Sequence, residues 1–392
     1  MKRKPCVAIV TPGSFPVPSG KSSSVEQVVE KLAERLASRV ATVVFGRTTS
    51  FQRVSEMRAG VSYRRVPYGN PRAYIARVSA RLAALRPTVI QVENRPRFAA
   101  YLRKRHPRAY ITLSMHSTYY ISRPHIGRKE LAACLRCVDQ IIVNSRFLQG
   151  WLARRIPGCA HKIVAQHLGV DASGFISRWT PEGQAAREAK LRELGIGEDR
   201  RIVLYVGRLI PRKGVHCLLE ALPAIVERHP QALLIVVGGA FYGSPRVSGY
   251  VRQLHKMGNA LPQHVRFVPY VPHHEVASWY RLADVAVVPS VKEEAFGLVN
   301  VEAMASGVPV VAARSGGIEE IITHGTTGYM TASGCPVGEL AAYIVRLLDD
   351  AELQRAMGEQ AVRRVHSLFT WERLAVDRAA LYGVPAVPGP HL

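Results

Sequence analysis

The sequence predicts an α/β protein of two tandem doubly wound domains, and three observations carry that prediction. Short Val- and Ile-rich runs alternate with segments whose apolar residues fall at helical spacing, the pattern of parallel β-α-β units. The pattern stops in a polar stretch at 179–197 and then starts again. The chain has 392 residues, enough for two domains that each bury a core.

The first half opens with a strand at Val7–Val10 and a Pro/Gly/Ser-rich loop from Thr11 to Ser24. Val25, Val28, Val29, Leu32 and Leu36 then keep helical spacing, with Ser23 and Glu26 as a capping box. Strands are expected at 41–45, 61–66, 88–92, 110–114 and 140–143, with a helix at 74–85. Trp179–Gly197, with Pro181, Gly183 and Gly195, reads as a connection. Beyond it, strands at 201–206, 232–237, 265–268, 285–289 and 308–312 alternate with helices at 215–228, 249–257, 274–282 and 299–305. Helices at 337–348, 351–366 and 371–382 close the chain. The expected domains are 1–175 and 176–369, with the helix at 370–383 returning to the first. Ligands of such sheets bind at the carboxyl ends of the strands, and two facing domains would form a cleft.

Composition narrows the class. With 47% hydrophobic and 21% charged residues, the chain is neither a disordered tail, a collagen nor a disulfide scaffold. No apolar run approaches the roughly 18 residues of a membrane helix. The run Cys6–Val10 is too short for a signal-peptide core. A cytoplasmic protein is expected, with a peripheral place at a membrane as the alternative. Of the six cysteines only Cys134 and Cys137 lie close, without a second pair for zinc, so reduced thiols are expected.

The net charge is +24 and lies almost wholly in the first half. Residues 1–180 hold 31 basic and 8 acidic side chains, residues 181–392 hold 22 and 21. An anionic partner for the first half follows, with Arg64-Arg65 and Arg103-Lys104-Arg105 as candidate contacts, the alternative being a solvated basic surface. No nucleic-acid-binding module is present, so no specific nucleic-acid partner is expected.

Two motifs mislead. Gly20-Lys21-Ser22 resembles the end of a P-loop, but Phe15 stands where the first glycine belongs, and Pro16 and Pro18 remove backbone donors. No Gly-x-Gly-x-x-Gly follows Val10 or Val206, which argues against a nicotinamide site.

Three later segments carry chemistry. In Gly207-Arg208-Leu209-Ile210-Pro211-Arg212-Lys213-Gly214, Arg208 and Lys213 flank a strand-to-helix turn, which suits a diphosphate as well as it suits solvent. In Glu294-Ala295-Phe296-Gly297-Leu298-Val299, followed by Glu302, a loop carboxylate and a helix-start carboxylate bracket the free N–H groups of Leu298 and Val299. That suits a sugar nucleotide, against a solvated loop as the alternative. Ser315-Gly316-Gly317 after a strand adds little by itself.

In this order the three segments, with Ala303 to Val310 and Gly169-Val170-Asp171, resemble family 4 of the retaining glycosyltransferases. The stretches Pro16-Val17-Pro18-Ser19, Asn94-Arg95-Pro96, Arg178 to Gln184 and Tyr250 to His255 resemble that family's spore-coat-associated branch. The resemblance implies a GT-B fold, two facing Rossmann-like domains with an inter-domain cleft. It implies transfer of a sugar from a nucleotide-diphosphate donor, UDP-linked, to a glycan, lipid or coat-associated acceptor.

By the same resemblance Gly207, Arg208, Lys213, Phe296 and Gly297 line the donor. Leu298 and Val299 give N–H groups to phosphate, Glu302 meets the ribose, Glu294 meets the sugar, and His116 faces the transferred sugar. No Asp-x-Asp appears, so neither a metal clamp nor a cofactor beyond the nucleotide-sugar co-substrate is implied. Where relatives carry Gly-Gly in the first loop, this chain has Ser22-Ser23 after Gly20, a possible donor or acceptor contact. A non-catalytic coat protein and a sugar-nucleotide epimerase remain alternatives.

Overall fold

The computed structural model describes residues 5–18, 24–241 and 246–383. The chain divides into two compact units, Met1–Leu168 with Trp371–Leu392, and Gly169–Thr370. The division falls before the expected boundary at Phe175, because Val170 bridges Thr370 and Phe175 packs on Tyr280, both within the second unit.

The first unit holds, in chain order, β1 (Cys6–Val10), α1 (Ser24–Ala37), β2 (Ala41–Arg47), β3 (Ser55–Arg58), β4 (Val61–Val66), α2 (Pro71–Leu85) and β5 (Val89–Glu93). It continues with α3 (Pro96–Arg105), β6 (Tyr110–Met115), α4 (Arg128–Arg136), β7 (Gln140–Val143), α5 (Arg146–Arg155) and β8 (Ile163–Ala165). Local chemistry sets the helix starts. Asn70 caps α2 by accepting from Ala73 N at 2.9 Å with Pro71 at the first helical position, and Ser145 caps α5 at Leu148 N.

The strands run β3-β4-β2-β1-β5-β6-β7-β8 and are parallel except for the polar edge strand β3. Chain order therefore reverses between β1 and β5, where β1 and β5 pair from Val7↔Val89 to Val10↔Val92. β1 is covered on both faces, which explains its apolar run, and β5 is equally buried although it carries Gln91 and Glu93.

The second unit holds α6 (Pro181–Glu193), β9 (Arg201–Val206), α7 (Val215–Arg228), β10 (Ala232–Val237), α8 (Gly249–Gly258) and β11 (Val265–Val268). It continues with α9 (His273–Leu282), β12 (Val285–Val288), α10 (Leu298–Ala305), β13 (Val310–Ala313), β14 (Gly328–Thr331), α11 (Val337–Asp349) and α12 (Ala351–Leu368). Its sheet is wholly parallel in the order β11-β10-β9-β12-β13-β14, with the reversal between β9 and β12. The last helix, α13 (Trp371–Leu381), belongs to the first unit, where Glu372 meets Arg35 Nε at 3.0 Å.

The expected connection at 179–197 is mostly the helix α6. Thr180 Oγ1 caps it at Gly183 N, Pro181 opens it, and its buried residues are only Gly183 and Leu191. So narrow an apolar stripe leaves no helical period to read in the sequence.

Candidate functional site

The crevice at the carboxyl ends of β9 and β12 lies where strand order reverses, the place such sheets reserve for ligands. The loops after these two strands touch. Gly214 has φ +72°, and a Cβ there would stand 1.7 Å from Pro289 O, so only glycine lets the loops meet. Val291 N donates to Arg212 O at 3.1 Å and Arg212 Nη2 to Glu293 O at 3.0 Å, fixing one loop on the other.

This junction brings Lys213 to Glu294, with Nζ 2.8 Å from Oε1. Ser290 Oγ donates to the same oxygen at 3.2 Å. Burial pushes the Glu294 carboxyl up, but the charge and hydrogen bond of Lys213, helped by Arg212 and Ser290, hold it below its ordinary value. Gly317 N donates to Glu294 O at 2.8 Å, and a Cβ on Gly317 would lie 2.2 Å from Ala295 O. The glycine pair after β13 is thus a support for the Glu294 loop.

Gly297, with φ +100°, precedes α10, whose start at Leu298 and Val299 has no side-chain cap and keeps donors for an anion. Glu302 lies on the next turn of α10 and is 6% exposed. His273 Nε2 stands 2.9 Å from its Oε1, and Tyr280 OH donates to Oε2 at 3.3 Å. Burial, then the Glu302 charge, pushes the Tyr280 phenol well up. Gly207 follows β9, and its N–H donates to Val237 O. Arg208 is partly buried, and its carbonyl accepts from Tyr205 OH at 2.8 Å. Phe296 is 2% exposed and packs edge-on against Phe369, so its side chain belongs to the core.

In the first unit His116 follows β6. Its Nε2 lies 2.7 Å from Oε2 of Glu93, the last residue of β5, which is 1% exposed. Asn94 Oδ1 accepts from His116 N at 2.9 Å and Asn144 Nδ2 donates to His116 O at 3.2 Å. Gly20, Ser22 and Ser23 lie outside the described residues.

Two of the expected anion contacts prove structural. Arg65 is 2% exposed and donates to Val17 O, Arg53 O and Glu56. Arg103 donates to Cys137 O, Pro107 O and Ala109 O and pairs with Asp139. Charge counting cannot tell such strapping arginines from solvated ones. A cavity of about 290 Å³ elsewhere on the unit is lined by Arg128, Trp151, Arg154 and Arg155. The sequence reading passed over this group and also over Glu93, His273, Tyr280 and Ser290. Only Glu93 left a trace, as a carboxylate ending an apolar strand beside Asn94-Arg95-Pro96.

Comparison with known proteins identifies the family. The model of group 1 glycosyl transferases matches residues 186–364, and that of glycosyltransferase family 4 matches residues 25–173. Spore coat protein SA of Bacillus subtilis is 31% identical over 376 residues, covering 96% of this chain and 98% of its own. Sucrose-phosphate synthase from Thermosynechococcus elongatus superposes with a TM-score of 0.80 at 25% identity, over 97% of this chain and 98% of its own. Anabaena HepE, solved in complex with UDP and glucose, superposes at 0.76 and 22% identity, over 96% and 99%. The chain belongs to family 4 of the GT-B glycosyltransferases, in the branch that contains spore coat protein SA.

Proposed function

We propose that the chain transfers a sugar from a UDP-sugar to an anionic glycan, with retention at the anomeric carbon and without a divalent metal. One observation carries the reading. A lysine, a half-buried carboxylate and an uncapped helix start meet in the β9/β12 crevice. There Arg208, Lys213 and the N–H groups of Leu298 and Val299 take the diphosphate and stabilise the charge it gains on leaving. Glu302, already oriented by His273 and Tyr280, keeps lone pairs for the ribose hydroxyls. Glu294, held as an anion, accepts from hydroxyls of the sugar, and His116 is the group of the first unit that serves the transfer. The bound UDP and glucose of the Anabaena structure favour UDP as the carrier.

Nucleotide sugars screened for thermal stabilisation test the donor site, since a ligand at 100 times its Kd adds about 2.7 kcal/mol. A UDP-sugar is expected to stabilise, and silence from every nucleotide sugar sinks the assignment. An inverted anomer in the product, or activity lost to EDTA, overturns the finer claims.

For the acceptor, the patch of Arg128, Trp151, Arg154 and Arg155 offers a stacking ring beside three cations. The only acidic residues between Arg123 and Lys162 are Glu130 and Asp139, and each is paired to an arginine of α3. None of the exposed large apolar side chains among the described residues lies on α4 or α5, which favours a glycan over a bilayer. No helix among the described residues is long and apolar enough to cross a membrane. Arg154→Ser should weaken binding of an oligogalacturonate several-fold, and added salt should do the same. Loss of binding to anionic vesicles alone would reassign the patch to lipid.

The name of the Bacillus relative favours a second reading, a coat component without turnover. A UDP-sugar turnover abolished by Lys213→Ala excludes it.

A further inference from the structure

The His116 ring is fixed from one side only. Its Nε2 meets Glu93 Oε2, while its Nδ1 is buried and has no hydrogen-bond partner. An ionised carboxylate only accepts, so the ring proton belongs on Nε2, leaving Nδ1 as a bare lone pair.

Glu93 is itself held from behind. Its Oε1 accepts from Gln91 Nε2. The Gln91 amide has one orientation, because its Oε1 accepts from Arg378 Nη1 at 2.7 Å and from Tyr382 OH. Arg378, on α13 and 3% exposed, also donates to Gln166 Oε1 at 2.6 Å and Ser114 Oγ at 3.3 Å. A buried cation thus stands behind a buried carboxylate through one amide, and every donor in the chain points toward Glu93. Such a network is stable only when fully satisfied.

We propose that Glu93 is a positioning residue, which, backed by Gln91 and Arg378, locks the His116 ring in one orientation and in the Nε2–H tautomer for sugar transfer. This rests on the reading of His116 as the group of the first unit that serves the transfer. α13 thereby serves turnover as well as packing, since it supplies the cation behind that lock.

Glu93→Gln tests it with almost no change of shape. Two donors, from Gln91 and His116, converge on the carboxylate, and a glutamine has one acceptor oxygen. Gln91 cannot turn without breaking its bonds to Arg378 and Tyr382, so residue 93 must turn its amide N–H₂ toward His116. Nε2 must then accept, and the ring proton moves to Nδ1. The ¹⁵N shifts of His116 in the full-length protein, assigned by the signal lost in His116→Ala, report this directly. The Nε2–H form is expected in the parent and the Nδ1–H form in Glu93→Gln. With UDP-glucose as probe, kcat for its hydrolysis should fall about ten- to a hundred-fold, the usual loss when an orienting partner goes. KM should hold within two-fold, since the donor is held by the second unit.

A parent proton on Nδ1 overturns the proposal. So does a Glu93→Gln variant with the parent's tautomer, or one with the parent's kcat. Turnover surviving in His116→Ala would instead sink the role given to His116, and the tautomer shift would still decide whether Glu93 sets the ring.

Discussion

Both units place a carboxylate against a nitrogen base at the carboxyl ends of parallel strands, yet the two pairs are built differently. Lys213 and Glu294 sit on loops that glycines allow to touch, and both keep some exposure. Glu93 and His116 close two neighbouring strands, β5 and β6, and Glu93 is sealed against a polar network reaching α13. In the proposed reading of the first pair, Lys213 is a cation that Glu294 can share with an incoming diphosphate, because the lysine stem is flexible and its charge is a point. The second is a lock on one ring. A donor site must exchange partners at each turnover, whereas an orienting site must not, and loop against strand expresses that difference.

Lys213→Ala should break the comparison most strongly. It removes the charge proposed to meet the leaving diphosphate and strands Glu294 without its cation. The initial rate of UDP-sugar turnover should fall on the order of 10²–10³, by analogy with losing one anion-stabilising donor. If the loss equals that of Glu93→Gln and lies in kcat alone, the two pairs do the same job and the contrast between them is wrong.

The two pairs also differ in how far the sequence displays them. Lys213 and Glu294 stood out in the sequence because glycines that the turns require, Gly214 and Gly297, lie beside them along the chain. The pair of sheets was legible from their periodicity. Glu93 was not, since its meaning comes from His116 across a strand pair, 23 positions away, and from Arg378 on the last helix. Arg65 and Arg103 misled for the same reason in reverse, as charge is visible in sequence and its burial is not. Phe296 stood within the same motif as Glu294, yet its ring faces the core.

Arg178 marks the other end of the scale, a buried motif residue whose partners are structural. It lies in the stretch Arg178 to Gln184 that resembles the spore-coat branch, and the side chains of Arg178, Trp179 and Thr180 there all have structural partners. Arg178 Nη2 pairs with Asp284 Oδ1 at 2.8 Å, both buried, while Asp284 Oδ2 accepts from Ile202 N at the start of β9. Trp179 Nε1 donates to Gly307 O at 2.7 Å, and Thr180 caps α6. Arg178→Ala leaves Asp284 buried with its main cation gone, which should cost about 3–5 kcal/mol of stability in urea unfolding. The same variant, assayed per folded molecule below its melting temperature, should keep the parent's kcat and KM within two-fold. A drop in kcat comparable to that of Glu93→Gln would mean that the branch-specific stretch shapes the donor crevice. The division between residues that hold the fold and residues that hold the sugar would then have to be redrawn along the strand end of β9.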